Sequence, residues 1–289
     1  MTSLGEARLA LAWWAHQLKP RTLARFGSAY LGDRLGRRSY RALSPDELRA
    51  TRTSDTAFVL GSGRSVLDLG PDDWERIAAC NTISFSEFHR QGFVRADYHM
   101  VGEITDAAPA PPERAVAESA RRLRENPLYA ETVLLLQEGW LAVDSNSLVR
   151  RQLLPPGARV FRYRRTKRGS YAPPSRSFRE GLVHGWNTSI SVTNLALLMG
   201  YTRVVLVGVD MYNREYFWLE EGERRPTVPL SSAVDDPFLN AQPVVDLFRR
   251  WRALLEPAGV EIAVYNPRSL LAGALPVFRW GLSSADASH

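Results

Sequence analysis

Residues Val204-Val205-Leu206-Val207-Gly208-Val209 form an apolar, largely β-branched run with no polar alternation. A strand of that kind needs cover on both faces, a condition met in parallel sheets flanked by helices. The neighbouring sequence supplies the helices. Upstream, Val192, Leu195, Ala196 and Met199 recur at helical spacing over 190–199, and Gly200 ends the pattern. Downstream, a long polar loop leads to a helix over 243–255 and a strand over 260–264. The front half alternates in the same way. Thr56-Ala57-Phe58-Val59-Leu60 breaks off at Gly61-Ser62-Gly63, Pro71-Asp72-Asp73-Trp74-Glu75-Arg76-Ile77 opens a helix, and 82–85 and 133–136 read as strands. Strands alternating with helices predict an α/β fold with a doubly wound, mostly parallel, Rossmann-like sheet. No internal repeat is visible.

At 289 residues and about 150 residues per domain, the chain makes one large domain or two small ones. Its 45 % hydrophobic and 24 % charged residues are those of a globular protein, not of a disordered tail, a coiled coil or a collagen-like fibre. Cys80 is the single cysteine, which excludes an intramolecular disulfide and a Cys-rich zinc module and points to a reducing, cytoplasmic setting. The net charge of +6 is uneven, because residues 1–50 hold nine Lys/Arg against four Asp/Glu. A nucleic-acid-binding domain spreads its excess along a reading face, so nucleic acid is not an expected partner.

Residues 1–55 therefore read as a basic helical extension ahead of a domain at 56–289. Within it, Ser44-Pro45-Asp46-Glu47 has the capping serine, first-turn proline and acids of a helix start. The apolar run at 9–14 is too short to span a bilayer and lacks the order of a signal peptide. Leu4, Ala7, Leu11, Trp14 and Leu18 share one helical face, with Arg8, Lys19, Arg21 and Arg25 close by. Two readings stand for 4–25: it lies on an anionic membrane surface, at the inner face of the cell membrane, or it packs on the protein's own body or on a second subunit of a homo-oligomer. Residues 104–115 and 162–180 are rich in Pro, Ala, Ser, Arg and Gly and read as loops. The second carries Arg162, Arg164, Arg165, Lys167 and Arg168. It is either a solvated charged face or a lid over about 160–182 whose arginines close over phosphate or carboxylate.

In a doubly wound sheet, ligands bind beyond the carboxyl ends of the strands. Gly61-Ser62-Gly63-Arg64-Ser65 is one such place, where glycines let the backbone approach a phosphate at a helix end, or simply form a tight turn. It is no dinucleotide fingerprint, since Val66 takes the third glycine position, and no Walker loop, since no Gly-Lys-Ser/Thr follows. The second place is Gly208-Val209-Asp210-Met211-Tyr212, where Asp210, Tyr212 and Tyr216 follow an apolar strand. There the aspartate serves a ligand or caps the next element. Asn187-Thr188-Ser189 can likewise cap its helix or grip a phosphate. No Asp-x-Asp pair follows an apolar strand, and Asp72-Asp73 sits where acids stabilise a helix dipole, so no metal site is read.

These segments resemble a known family. Val59-Leu60-Gly61-Ser62-Gly63-Arg64-Ser65, with Asn81 after a short helix, resembles the glycine loop and asparagine of bacterial CMP-sialic-acid-dependent sialyltransferases. Thr188-Ser189 leading to Leu198-Met199-Gly200-Tyr201, and Val207-Gly208-Val209-Asp210-Met211-Tyr212, resemble that family's second nucleotide-binding helix and the strand after it. Tyr265-Asn266-Pro267-Arg268-Ser269-Leu270-Leu271 resembles its final strand and turn. The likeness covers about residues 56–275, and the core is shared with 6-hydroxymethylpterin pyrophosphokinase relatives and motility-associated glycosyltransferases. Ala96-Asp97-Tyr98-His99 to Glu103, and Tyr216-Phe217-Trp218, look closer to a bacterial branch near surface-polysaccharide enzymes.

The resemblance implies an inverting, metal-independent glycosyltransferase of a GT-A-like variant, needing no cofactor beyond a nucleotide-sugar donor. The donor would carry a CMP-linked acidic sugar, and the acceptor would be a bacterial surface glycan, lipid-linked in one version. Gly61, Ser62, Gly63, Arg64 and Ser65 would hold the nucleotide, Asn81 would contact it, and Asn187, Thr188 and Ser189 would take the phosphate or sugar. Tyr212 and Tyr216 would stabilise the departing phosphate, and Asp210 is expected among the catalytic residues. His99, Glu103 and Arg168 are expected at the substrate. The family's general-base histidine, in the loop after the two tyrosines, is missing, for 219–240 holds none. Asp235 or Asp236 could take that proton, with His99 and His184 as rivals. The alternatives are a Mg²⁺-dependent pyrophosphokinase of a pterin-like alcohol and a degenerate, nucleotide- or glycan-binding scaffold.

Overall fold

A computed structural model describes residues 20–36, 39–102, 112–139, 142–166, 168–169, 171–185, 187–212, 215–219 and 241–281. Its strands are β1 (Arg41–Ala42), β2 (Thr56–Leu60), β3 (Asn81–Phe85), β4 (Tyr98–Met100), β5 (Val133–Gln137), β6 (Arg159–Tyr163), β7 (Arg203–Val207) and β8 (Glu261–Val264). The helices are α1 (Pro20–Gly36), α2 (Pro45–Ala50), α3 (Pro71–Ala78), α4 (Pro112–Glu125), α5 (Val143–Arg150), α6 (Thr188–Met199) and α7 (Ala241–Leu255). One sheet contains all eight strands in the order β1-β6-β5-β4-β3-β2-β7-β8, and every neighbouring pair is parallel. The protein is therefore an α/β, Rossmann-like fold.

Both faces of the sheet are buried, as the unbroken apolar run requires. In β2, Ala57 and Val59 join the core under α2, α6 and α7, while Phe58 and Leu60 face Trp74 and Ile77 of α3. In β5, Val133 and Leu135 turn to the first core and Leu134 and Leu136 to α4 and α5. The chain walks from β2 out to β6 and then returns to lay β7 on the other side of β2. The strand order thus reverses between β2 and β7, the point at which doubly wound sheets open a crevice for ligands. Pairing of Leu60 with Val207 brings the two carboxyl ends level.

Most expected elements appear within two residues of their predicted limits. The exceptions are informative. The run to Val209 leaves the sheet at Val207, because Gly208 turns with φ of +65°. Residues 112–115, read as loop, open α4. Within the segment read as an extension over 1–55, the described residues hold α1, β1 and α2. β1 is the sheet's edge, paired to β6. α2 has the capping box read from Ser44 and Glu47, and behind it Arg49 Nε and Arg52 Nη1 donate to the carbonyls of Leu198 and Met199. Two cations thus meet the negative end of α6. Of the segment 4–25, residues 4–19 lie outside the described residues. No helix among the described residues is long and apolar enough to cross a membrane.

Arg162 corrects the lid expectation. It lies on β6 with its side chain buried, and pairs with the buried Asp33 of α1 at 2.5 Å. Arg164 pairs with Glu138 and Arg168 with Glu180. The loop between them is closed at its base by Leu182 N to Arg164 O and Thr166 N to Leu182 O, and Trp251 Nε1 of α7 holds it through the Ala172 carbonyl. Asp33→Ala leaves the Arg162 charge buried without that partner, and is expected to cost about 3–5 kcal/mol. The check is a lower urea midpoint at unchanged slope.

Candidate functional site

The turns after β2 and β7 cross in direct contact. A Cβ on Gly61 would lie 2.7 Å from the Gly208 carbonyl oxygen, and one on Gly208 would lie 2.4 Å from that of Gly61. On Gly63 it would meet Asp210 Oδ2 at 2.5 Å. These glycines are demanded by the approach of two backbone segments to each other. Across the crossing, Gly61 N donates to Val207 O and Gly63 N to Gly208 O, at 2.8 and 2.7 Å, so the ladder runs on beyond the strands.

Asp210 fixes that crossing. Its buried carboxylate accepts from Ser65 N at 3.0 Å, from Ser65 Oγ, and from Asn266 Nδ2 at 2.9 Å. Ser65 lies in the first turn of the short 3-10 helix Arg64–Asp68, so Asp210 itself takes the place of the anion expected there. Two expectations change. The Ser65 donors are occupied by protein, and Asp210 is an organising group whose oxygens already accept three hydrogen bonds. The turn after β8 buttresses the arrangement through Ser269 Oγ to Val209 O at 2.7 Å.

Above the crossing opens a cleft of about 390 Å³. Ser62 and Gly63 line one wall and Asn187, Thr188 and Ser189 another, with Tyr216 and Trp218 at the rim. The hydroxyl of Ser62 is buried without a hydrogen-bond partner among the described residues. Asn187 is the N-cap of α6, yet its side chain does not cap the helix. Its Oδ1 accepts from Ser189 Oγ at 2.6 Å instead. The first-turn N–H groups of α6 thus have no side-chain cap, and a helix end in that state attracts an anion through its donors and dipole. Tyr216 pairs with Gly63 in an antiparallel bridge, and its ring stacks parallel to that of Trp218, with centroids 5.5 Å apart. The Arg90 guanidinium lies 4.3 Å over Trp218 and pairs with Glu87 at 2.5 Å.

The cleft also gathers backbone strain. Among the described residues three non-glycines have positive φ, and two of them, Ser86 (54°) and Met211 (64°), line it. Conformations of that kind cost about 1–3 kcal/mol and concentrate at functional sites.

The structure brings together Ser62, Gly63, Asn187, Thr188, Ser189 and Tyr216, with Asp210 beneath them. Other expected residues fall elsewhere. Asn81 sits at the amino end of β3, level with Ala57, where its Oδ1 accepts from Thr53 N and Ser54 N at 2.9 and 3.1 Å. It is a loop clamp at the opposite, amino-terminal ends of the strands. Tyr212 is hydrogen-bonded to Asn266, and burial, with Asp210 nearby, raises its phenol above the ordinary range. It does not line the cleft. Arg64 faces Glu215 at 3.5 Å, and Arg168 is held by Glu180. His99 is buried in β4, bonded to Ser84 Oγ at 2.9 Å, and His184 to Ser191 Oγ at 3.1 Å. Neither lines the cleft. Glu103, Asp235 and Asp236 lie outside the described residues.

Ser86 and Glu87 were missed by the sequence reading. They follow the carboxyl end of β3, so the strand-end rule applied to β2 and β7 would have found them. Among the described residues no group of three or more His, Cys, Asp or Glu is placed to hold a metal ion. In comparisons with known proteins, no family model and no curated protein matches the sequence.

Burial pushes His89, His99 and His184 below the ordinary range for imidazole, His184 to about 4 with help from Arg165. In the folded protein they stay neutral, while the unfolded chain takes up protons below pH ~6.5. Their contribution to stability is therefore full above that pH and is lost as the pH falls towards 4. His184→Gln is expected to make the decline between about pH 6.5 and 4 shallower by up to ~1.4 kcal/mol per unit, read from urea unfolding at several pH values.

Proposed function

We propose that the protein is a nucleotide-sugar-dependent glycosyltransferase whose donor phosphate sits at the amino end of α6. The observation that carries this reading is the helix terminus without a side-chain cap, facing the crossed turns at the point where the strand order reverses. Charge grows on the leaving phosphate as the sugar departs. Fixed N–H groups, the hydroxyl of Thr188 and the phenol of Tyr216 stabilise that charge without reorganising. The stacked Tyr216 and Trp218 offer a flat apolar face to a base or sugar ring. Glu87, at the cleft wall, takes the proton of the acceptor hydroxyl. The resemblance to CMP-sialic-acid-dependent enzymes makes a CMP-linked acidic sugar the donor and inverting transfer without metal the reaction. A bacterial surface glycan is the acceptor, reached at the membrane's inner face through the basic amino-terminal segment.

A thermal-shift panel of CMP, CDP, UDP, GDP and ATP, each with EDTA and with Mg²⁺, tests the reading. CMP or CDP in EDTA is expected to stabilise the fold by about 2.7 kcal/mol at 100 times its Kd. Stabilisation by ATP only with Mg²⁺ would turn the assignment to phosphoryl transfer, and silence across the panel to a scaffold.

Thr188→Pro tests the phosphate site itself. Proline is tolerated at the first helical position and removes its N–H, and the extended φ of −152° at Asn187 suits the residue before a proline. The variant loses the hydroxyl as well as the N–H, and since one hydrogen bond to a charged group is worth about 1.5–3 kcal/mol, CMP binding weakens by at least about 10- to 100-fold with the unfolding midpoint nearly unchanged. Unaltered CMP affinity would remove α6 from the phosphate site. Glu87→Gln is expected to keep CMP binding and to slow transfer or donor hydrolysis by about 10²–10⁴-fold.

A further inference from the structure

The two faces of α1 differ in character. On the inner one, Ala29, Gly32, Asp33 and Gly36 recur at helical spacing and turn towards α5 and β6. A Cβ on Gly32 would collide with the Arg150 side chain, and one on Gly36 would lie 2.9 Å from Val149 Cγ1, so the two helices meet at close range. The outer face is Ala24, Ser28, Leu31 and Leu35, at intervals of four, three and four. Leu31 is 61 % and Leu35 76 % exposed, the two most exposed large hydrophobic side chains among the described residues. Nothing in the proposed chemistry of the cleft uses this face.

The charge of this part of the chain has one sign. Residues 1–43 hold eight Lys/Arg and two acids. One of the acids, Asp33, is buried against Arg162 on the inner face. Along α1 and just beyond it the basic positions are Arg21, Arg25, Arg34, Arg37 and Arg38. Arg34, next to Leu35 in the chain, is exposed, with its guanidinium 5.7 Å over the Tyr30 ring. A second copy of the chain is a poor cover for the leucines. It would bring two basic segments together, and one helix face about 25 Å long and about 10 Å wide supplies roughly a third of the ~800 Å² per partner of a stable interface. A nucleic acid would use the arginines and leave the leucines in water. A bilayer surface with anionic headgroups satisfies both, since basic side chains gain at the headgroups and leucines at the acyl boundary.

We infer that the outer face of α1 is a docking surface for an anionic phospholipid bilayer. Leu31 and Leu35 enter the boundary between headgroups and acyl chains, and the basic residues of the segment meet lipid phosphates. The inner face stays packed on α5, so docking needs no rearrangement of the domain. The inference deepens the proposed function, and rests on it only in making the bilayer the place where the acceptor is met.

The test is co-sedimentation of the full chain with vesicles of phosphatidylcholine alone and of phosphatidylcholine mixed with phosphatidylglycerol. The chain is expected to pellet with the mixed vesicles only. Raising the salt from about 0.1 to 1 M, which shortens the screening length from about 10 to 3 Å, is expected to release it. Leu31→Gln/Leu35→Gln leaves the charge unchanged and is expected to weaken the partition about tenfold or more. Both side chains are exposed, so the urea midpoint of that variant is expected to stay where it is. Arg34→Gln is expected to weaken the partition about fivefold. Binding to neither vesicle, equal binding to both, or binding that survives the double substitution would overturn the proposal. A dimer in solution that the double substitution dissociates would give the face to a second copy and overturn it too. Binding of CMP in solution does not involve this face. Its failure would count against the proposed function and leave the vesicle result to decide the docking surface.

Discussion

The contact on which the rest of the site depends is the crossing of two backbone turns at the carboxyl ends of β2 and β7. Side chains would hold these segments apart, so glycine at 61, 63 and 208 is the condition for the crossing, and Asp210 is its lock. With the lock closed, Ser62 lines the cleft wall and Tyr216 bridges to Gly63. The parallel sheet supplies the frame, because pairing of β2 with β7 fixes the height at which the turns meet. Packing on both faces then leaves the strand ends as the place where backbone donors remain open.

Two ends of short helices meet this crossing, and they are treated in opposite ways. The 3-10 turn at Arg64–Asp68 has its anion built in, as the side chain of Asp210. α6 begins with an asparagine that bonds to Ser189 instead of capping. A protein stabilised for its own sake would cap both, since a good cap contributes about 1 kcal/mol. α6 is left without one, and the strained residues at 86 and 211 lie at the same cleft.

The fold was legible because its signals are local. Apolar runs at 56–60 and 204–209, helical spacing at 190–199 and the capping box at 44–47 each follow from short stretches of chain. The site was half legible. Strand ends mark where to look, and that rule found Ser62, Gly63 and Tyr216, while the helix-start reading found Asn187, Thr188 and Ser189. It could not tell whether a glycine makes room for a ligand or for another piece of backbone, because that depends on which turn lies opposite. Asn81 was expected at the nucleotide through the resemblance alone, although the strand read over 82–85 already set it at an amino end, away from the strand ends where ligands bind. Arg162 and Arg168 read as mobile charge because Asp33 and Glu180, their partners, lie 129 and 12 residues away in the chain.

The Asp210 carboxylate joins three segments that are far apart in sequence. Ser65 is 145 residues before it and Asn266 is 56 residues after it. Each link closes a long loop, and such contacts form late, after local helices and neighbouring strands have already gained their packing. During synthesis from the amino end, β2 and its glycine turn emerge long before the residues that lock them. The crossing is completed only when Asn266 arrives, so the lock on the turns after β2 and β7 closes among the last contacts of the fold.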